Sequence, residues 1–459
     1  MKPFGWASIA RLGLVQMALG AIVVLTTSTL NRVMVVELAL PALLPGVLVA
    51  LHYAVQLARP RMGFGSDVGG RRTPWIVGGM LVLASGGVLA AVATVWIASH
   101  PVAGTALAVV AFAMVGLGVS AAGTSLLVLL AKRVPEGRRA GAATLVWMMM
   151  IAGFALTAGL AGHWLDPYSP ARLLLVSSCV SVLALLLALS ALRGLEGTAA
   201  ASPAGEPATL DKPRFRDALK QVWKEPVARR FTIFVFVSML AYSAQDLILE
   251  PFAGTVFGYT PGESTQLSGL QHGGVLAGML LVALAGGIGA RFQHHALLGH
   301  VGSLRGWTIG GCLASALALF ALMFAGLQGS GWPLDATVFA LGVANGAFSI
   351  GAIGSMMRLA AEGRQAREGV RMGLWGAAQA VAFGLGGLVG TGASDLARWL
   401  IASPGVAYAM VFALQALAFL LSAVLAWRLA TPAARAAPVH PFARAPEPFA
   451  AATSPRPQS

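Results

Sequence analysis

The chain has 459 residues, of which 57% are apolar and only 10% charged, with 56 glycines and a mean hydropathy of +0.77. Soluble domains carry about a quarter of their residues as charges, so this composition excludes an ordinary cytosolic enzyme and makes the lipid bilayer the solvent for most of the chain. The formal net charge of +14, from 31 basic and 17 acidic residues, would suggest nucleic acid in a soluble protein. In a membrane protein the placement of the basic residues decides instead.

A helical crossing needs roughly 20 apolar residues, which leaves room for about a dozen. The N-terminal segment enters the first apolar run with no small-residue cleavage site, so a removable signal peptide is not expected. Runs of spanning length follow near 12–33, 41–62, 74–97, 103–131, 141–162 and 171–193, with Pro41 and Pro45 crowding the start of the second. Six crossings return the chain to its starting side. The stretch 194–228 is polar, charged and proline-bearing and reads as a linker, with Phe215 to Lys224 as a short surface helix. A second series of six lies near 229–250, 264–290, 305–327, 333–357, 370–393 and 404–429, and the Ala/Pro-rich tail 430–459 is expected to be disordered. The domains are therefore residues 1–193, 194–228, 229–429 and 430–459. Cys179 and Cys312 sit far apart within apolar runs and imply no disulfide.

With the N-terminus in the cytoplasm, only Arg32, Arg172 and Arg398 of the 31 basic residues fall outside. That asymmetry satisfies the positive-inside rule, places both termini in the cytoplasm and accounts for the positive charge without nucleic acid. Two sets of six helices joined by a cytoplasmic linker predict an all-α polytopic membrane protein of the major facilitator fold, with twelve transmembrane helices as two six-helix halves.

Between the second and third helices stands Gly63-Phe-Gly-Ser-Asp67-Val-Gly-Gly70-Arg71-Arg72. Gly63 and Gly70 permit close backbone approach, and Asp67 can accept from a helix N-terminus or an arginine, so this loop reads as a conformational latch, the alternative being a solvated turn with topogenic arginines. The corresponding loop after the eighth helix has Ala290 in place of the acid. A second echo between the halves pairs Arg32-Val-Met-Val-Val-Glu37 with Gln245-Asp246-Leu-Ile-Leu-Glu250. Asp246 and Glu250 share one helix face near its outer end, where Pro251 is expected to stop the helix. Two like charges so placed call for a countercharge, and an inter-half network of Arg32, Glu37, Asp246 and Glu250 is expected. Proton acceptance and partner binding remain open for the two acids.

Three segments, Thr29 to Leu38, Arg61 to Trp75 and Gln245 to Gly254, resemble the PucC/LhaA family of phototrophic bacteria, a facilitator branch linked to bacteriochlorophyll and light-harvesting assembly. The resemblance spans both halves, roughly Arg11 to Trp427. It implies a protein of the bacterial inner, intracytoplasmic photosynthetic membrane that handles or delivers bacteriochlorophyll to light-harvesting antenna polypeptides, with bacteriochlorophyll synthase as a further candidate partner. Bacteriochlorophyll is then the candidate cofactor.

A chlorin magnesium needs an axial donor, and imidazole supplies one. His52 in the second helix and His272 in the eighth lie within spans, at positions about one helical turn apart in the repeat. For His52 a ligand and a hydrogen-bonded packing histidine are both open. The glycines around His272 (Gly269, Gly273, Gly274, Gly278) point rather to close helix packing there. His294, His295 and His300 read as a solvated loop, not a metal site.

The sequence contains no Gly-x-x-x-x-Gly-Lys-Ser/Thr loop, no Gly-x-Ser-x-Gly elbow and no acidic cluster of the kind that prenyl transfer needs. The chain is therefore expected not to be an enzyme. The competing reading is a proton-coupled secondary transporter of a small, mostly apolar substrate, since the spans carry almost no central charge.

Overall fold

A computed structural model describes residues 4–58, 71–196, 223–291, 303–361 and 368–429. Every regular element among them is helical. In chain order they are α1 (Trp6–Glu37), α2 (Leu43–Val55), α3 (Thr73–Ile97), α4 (Pro101–Arg133), α5 (Glu136–Leu165), α6 (Pro170–Leu192), α7 (Pro226–Phe257), α8 (Pro261–Arg291), α9 (Leu304–Gln328), α10 (Leu334–Ala361), α11 (Glu368–Leu400) and α12 (Pro404–Arg428). Eleven are long and apolar enough to cross a membrane, and α2 is a shorter apolar helix. Pro sits in the first turn of α3, α4, α6, α7 and α12, where the missing N–H is no loss and the fixed φ favours entry into a helix.

Two sequence boundaries shift. The first helix does not stop at Val33. It runs on to Glu37 through two π-helical turns, Leu25–Thr29 and Val33–Glu37, that bracket Leu30–Arg32. Arg32 is thus inside the helix rather than in an outer loop. Pro251 does not end the seventh helix either: α7 continues for 32 residues to Phe257 and closes on Gly258 at φ +74°, a left-handed cap that glycine adopts without strain. Within the expected second span 41–62, the described residues form the 13 residues of α2 and a short 3₁₀ turn, Gln56–Ala58, and 59–62 lie outside them. The latch residues Gly63, Asp67 and Gly70, most of the linker and the tail 430–459 lie outside the described residues.

Alternating crossings put both ends of the described chain on one face, called here the terminal face; the α1–α2, α5–α6, α7–α8 and α11–α12 turns lie on the far face. Trp6, Trp223 and Trp427 are exposed near the terminal face and Trp96, Trp164 and Trp399 near the far face, two aromatic girdles of the kind that mark bilayer interfaces. Leu175, Leu183, Leu284 and Leu317 are exposed between them, as lipid contact requires. The chain is a multi-pass membrane protein.

The interior falls into one large apolar cluster built on α7, α9, α10, α11 and α12 and two built mainly on α1, α3, α4, α5 and α6. The halves meet where α5 packs on α8, α2 on α11, and the far-face end of α1 on α7. At α5–α8 the backbones come so close that a Cβ on Gly269 would lie 2.7 Å from the Gly159 amide nitrogen, so this seam depends on small residues.

Candidate functional site

The seam between the halves is where the polar residues of the spans collect. The π-helical turn of α1 turns a run of hydroxyls toward α8: Ser28 Oγ lies 3.1 Å from Ser268 Oγ and Thr29 Oγ1 lies 3.1 Å from Thr265 Oγ1. One residue pair further, Asn31 donates from Nδ2 to the Leu247 carbonyl of α7 at 2.6 Å. That carbonyl is available because of Pro251, four residues on, which brings no N–H to the helical ladder. The proline therefore creates an acceptor on α7 that α1 fills.

Arg32 is 2% exposed. Its Nη1 donates to Glu37 Oε1 at 2.5 Å and its Nη2 to the Tyr259 carbonyl of the other half at 2.7 Å. The guanidinium lies over Gly254, where a Cβ would come within 2.9 Å of Nη2. The segments Thr29–Leu38 and Gln245–Gly254, two of the three that carry the family resemblance, are thus packing partners.

Of the expected inter-half network, then, the Arg32–Glu37 pair forms within α1, and the link to the other half runs through a backbone carbonyl instead of a carboxylate. Among the described residues neither Asp246 nor Glu250 ion-pairs with Arg32. Asp246 has Gln271 Nε2 within 3.5 Å. Glu250 is 1% exposed and faces Ser28, Ser264 and Ser268 with Arg32 beyond. Among the described residues neither of its oxygens makes a hydrogen bond of standard geometry. With α7 running on to Phe257, Glu250 lies roughly 10 Å from the helix end, deeper than Pro251 had suggested.

The far face is fastened by two carboxylates that the sequence reading passed over. Asp166, just past α5, accepts from Thr260 Oγ1 at 2.8 Å and from the Gly262 N–H at 3.3 Å, at the start of α8. Asp395, near the end of α11, accepts from the N–H groups of Ala42 and Leu43 at 2.9 and 2.8 Å, at the start of α2. Each carboxylate binds orphan amides at a helix N-terminus, where charge and helix dipole also agree. The two caps are equivalent under the six-helix repeat: α5 on α8 in one case and α11 on α2 in the other. No motif marks them; only the repeat, with both acids at corresponding helix ends, carries a signal.

The two histidines differ. His52 is 2% exposed, its Nε2 lies 2.8 Å from Gln56 Nε2, and its ring stands edge-on to Tyr53. His272 is 8% exposed, and its Nδ1 donates to the Ser268 carbonyl at 2.8 Å. A carbonyl only accepts, so the proton is on Nδ1 and Nε2 keeps its lone pair. Its ring meets Phe154 of α5 edge-on at 5.0 Å, beside an apolar contact of Ile151, Val275 and Met279. A histidine whose second nitrogen is held by a backbone carbonyl is the usual form of a metal-ligating imidazole, so the donor chemistry of His272 fits an axial ligand better than that of His52.

A small void of about 10 Å³, room for about one water, lies within the first half, lined by Ile22, Leu25, Thr26, Leu30, Gly87, Ser177, Val180 and Ser181. It is smaller than ligand sites commonly are, and neither histidine lines it.

On the terminal face, Arg72 serves as N-cap of α3, and the backbone amides of Arg72 and Thr73 donate to Glu196 at 2.7 and 2.8 Å. Burial pushes the Glu196 carboxyl up, but the Thr73 hydroxyl, the two amides and the charge of Arg71 outweigh it and hold the group below its ordinary value. Arg71 and Arg72 of the expected latch therefore border a cap within the first half.

Twelve helices in two groups of six, packed along a polar seam, define a membrane protein of the major facilitator fold. Solved structures agree on the fold: a POT family transporter in complex with a thioalcohol-conjugated peptide matches with a TM-score of 0.67 at 12% identity, covering 92% of this chain and 96% of its own. A bacterial homologue of the human lysosomal transporter Spinster, inward-facing and unoccupied, matches with a TM-score of 0.61 at 15% identity, covering 92% and 94%. The sequence relatives are more specific. The profile described as PUCC protein matches residues 29–434. A Rhodobacter capsulatus protein named bacteriochlorophyll synthase 44.5 kDa chain is 53% identical over 425 residues, 92% of this chain and 95% of its own. Protein PucC of Cereibacter sphaeroides is 31% identical over 432 residues, 89% and 88% of the two chains. The chain belongs to the PUCC protein family.

One expectation needs correction. The absence of nucleotide and nucleophile motifs led to the expectation that the chain is not an enzyme, yet the relative at 53% identity carries the name of a bacteriochlorophyll synthase chain. Motif absence tests only the chemistries whose motifs are known, and a chain acting within a synthase need not display any of them.

Proposed function

We propose that this protein is a light-harvesting assembly factor of the photosynthetic membrane that handles bacteriochlorophyll beside nascent antenna polypeptides. Membership of the PUCC family and a relative named for bacteriochlorophyll synthase support a pigment connection. The observation that carries the reading is His272, whose Nδ1–H is spent on Ser268 and whose Nε2 lone pair is left over. Bacteriochlorophyll, if bound, would supply a magnesium that takes a nitrogen donor and an apolar ring system that needs apolar walls. His272 would hold the magnesium, and Phe154, Ile151, Val275 and Met279 offer the apolar walls nearby. The Ser268 carbonyl fixes the tautomer and the ring orientation.

The same reading places the terminal face in the cytoplasm. Arg11, Arg133, Arg193, Arg305 and Arg428 border that face, while Arg172 and Arg398 border the far face. The antenna polypeptides and a bacteriochlorophyll synthase remain the proposed partners. The transporter alternative draws support from the fold and from Glu250.

The test is the absorption spectrum of protein purified in mild detergent from a pigment-producing host. Stoichiometric bacteriochlorophyll that is lost in His272→Ala and kept in His52→Ala is the expected result. Pigment lost equally in His52→Ala, or absent from wild type that also captures no antenna polypeptide, refutes the reading.

A further inference from the structure

A carboxylate inside a membrane protein must be neutralised by a cation, by water or by a proton, because a bare charge in a medium of low dielectric is very costly. Around Glu250 the candidates can be taken in turn. From α1 it is faced by the Ser28 hydroxyl and the Arg32 guanidinium, and from α8 by Ser264 and Ser268. His272 is one helical turn beyond Ser268 and gives its N–H to the Ser268 carbonyl. On α7 itself Asp246 is one turn away, like-charged and turned to Gln271.

Arg32 donates to Glu37 and to the Tyr259 carbonyl and, among the described residues, forms no ion pair with Glu250, so its charge is answered first by Glu37. A metal cation would need several free oxygens. Ser28 and Ser268 bond each other, Ser264 donates to the Pro261 carbonyl and Asp246 is turned to Gln271, so beside Glu250 a cation would find only neutral hydroxyl oxygens. Glu250 is 1% exposed, so bulk water does not reach it while the seam is closed. A proton remains.

We propose that Glu250 is a proton-binding site set in the inter-half seam: it carries a proton while α1, α7 and α8 are in contact, and yields it to water when the halves part. The step is a simple dissociation in which the carboxyl O–H bond breaks, the electron pair stays on the carboxylate oxygen and the proton passes to a water molecule entering the opened seam. Acid therefore favours the closed seam and alkali the open one. This inference goes beyond the pigment reading and does not depend on it. A protein that binds no pigment could still have this site.

The experiment places a reporter in the seam. Val275 is 1% exposed, so Val275→Cys, with Cys179 and Cys312 replaced by Ala, reports opening through its labelling by a small membrane-impermeant maleimide in lipid nanodiscs. Rates are divided by those in the Glu250→Gln background, which removes the thiol's own pH dependence. The normalised rate is expected to rise about tenfold per pH unit while deprotonation limits opening, and Glu250→Asp is expected to retain that rise. Infrared difference spectra of the wild type are expected to show a protonated-carboxyl band that disappears with alkali and is absent from Glu250→Gln. A flat pH profile in the wild type overturns the proposal. So does a response to sodium at fixed pH in place of the response to protons, which would make the site a metal-cation site. If Glu250→Gln does not fold, the wild-type infrared titration decides against Glu250→Asp: a carboxyl band that does not shift in that variant also overturns it.

Discussion

Replacing Asn31 by Ala removes the donor to the Leu247 carbonyl, a bond of 2.6 Å, and Pro251 ensures that α7 cannot supply a substitute. An orphaned buried carbonyl costs about 1–3 kcal/mol, while hydrogen bonds between membrane helices average about 0.6 kcal/mol and reach about 1.7. Among the described residues the Asn31 Oδ1 has no partner, so its removal offsets part of the loss, and a net cost of about 1 kcal/mol is expected. In a Pro251→Ala background residue 251 regains an N–H, which can bond the Leu247 carbonyl within the helix. Asn31→Ala should then cost almost nothing, so the double-mutant cycle should show a coupling of about 1 kcal/mol. The assay is unfolding in rising mole fraction of SDS, followed by tryptophan fluorescence, for the four proteins of the cycle. Equal costs of Asn31→Ala in the two backgrounds would show that the proline plays no part in freeing the carbonyl and would sink the reasoning.

Gly254→Ala should destabilise the protein and shift the Arg32 guanidinium, since its Cβ would fall 2.9 Å from Nη2, whereas Gly273→Ala, whose Cβ meets nothing within 4 Å, should be close to neutral; the same SDS titration compares them. Asp166→Asn and Asp395→Asn each weaken a cap worth about 0.5–2 kcal/mol, and together they should raise the accessibility of a cysteine placed at Leu40 to an impermeant reagent more than either does alone; no change in the pair would show that these caps do not hold the far face together. Glu196 is held below its usual value of 4.5, so its contribution to stability is present above that pH and is lost as the pH falls through the lowered folded value. Glu196→Gln should therefore flatten the acid limb of a thermal-stability profile, and an unchanged limb would show that another group governs it.

The fold was legible because it rests on two coarse signals, apolar run length and the sidedness of arginine, and neither depends on side-chain detail. What escaped the sequence was where helices continue. Arg32 and Glu37 look like an outer loop because charges inside a span are rare, and only the π-helical widening and the Tyr259 carbonyl show how the charge is accommodated. Pro251 looks like a helix stop because a proline breaks the ladder in water. In a packed membrane seam another helix satisfies the freed carbonyl, and the helix continues. Asp166 and Asp395 were invisible for a different reason: a lone aspartate at a helix end has a use only when another helix starts beside it, and that neighbour lies about a hundred or several hundred residues away in sequence.

The seam is also uneven along its length, and that bears on the direction in which it opens. Its polar fastenings, from the Asp166 and Asp395 caps through Arg32 and Asn31 to Ser28–Ser268, lie toward the far face. Below them the contact between α5 and α8 passes into Phe154, Ile151, Val275 and Met279. Parting the far face exposes amides and a guanidinium that must find new partners, whereas parting apolar side chains costs little when lipid tails replace them, because lipid is as apolar as the seam. Opening toward the terminal face is therefore the cheaper motion, and it bares apolar surface below the polar residues around Glu250. His272 lies at the boundary between the two regimes, one turn below the last hydroxyl pair, where an apolar ring system could enter from the side of the apolar contact and still find a nitrogen donor at its end.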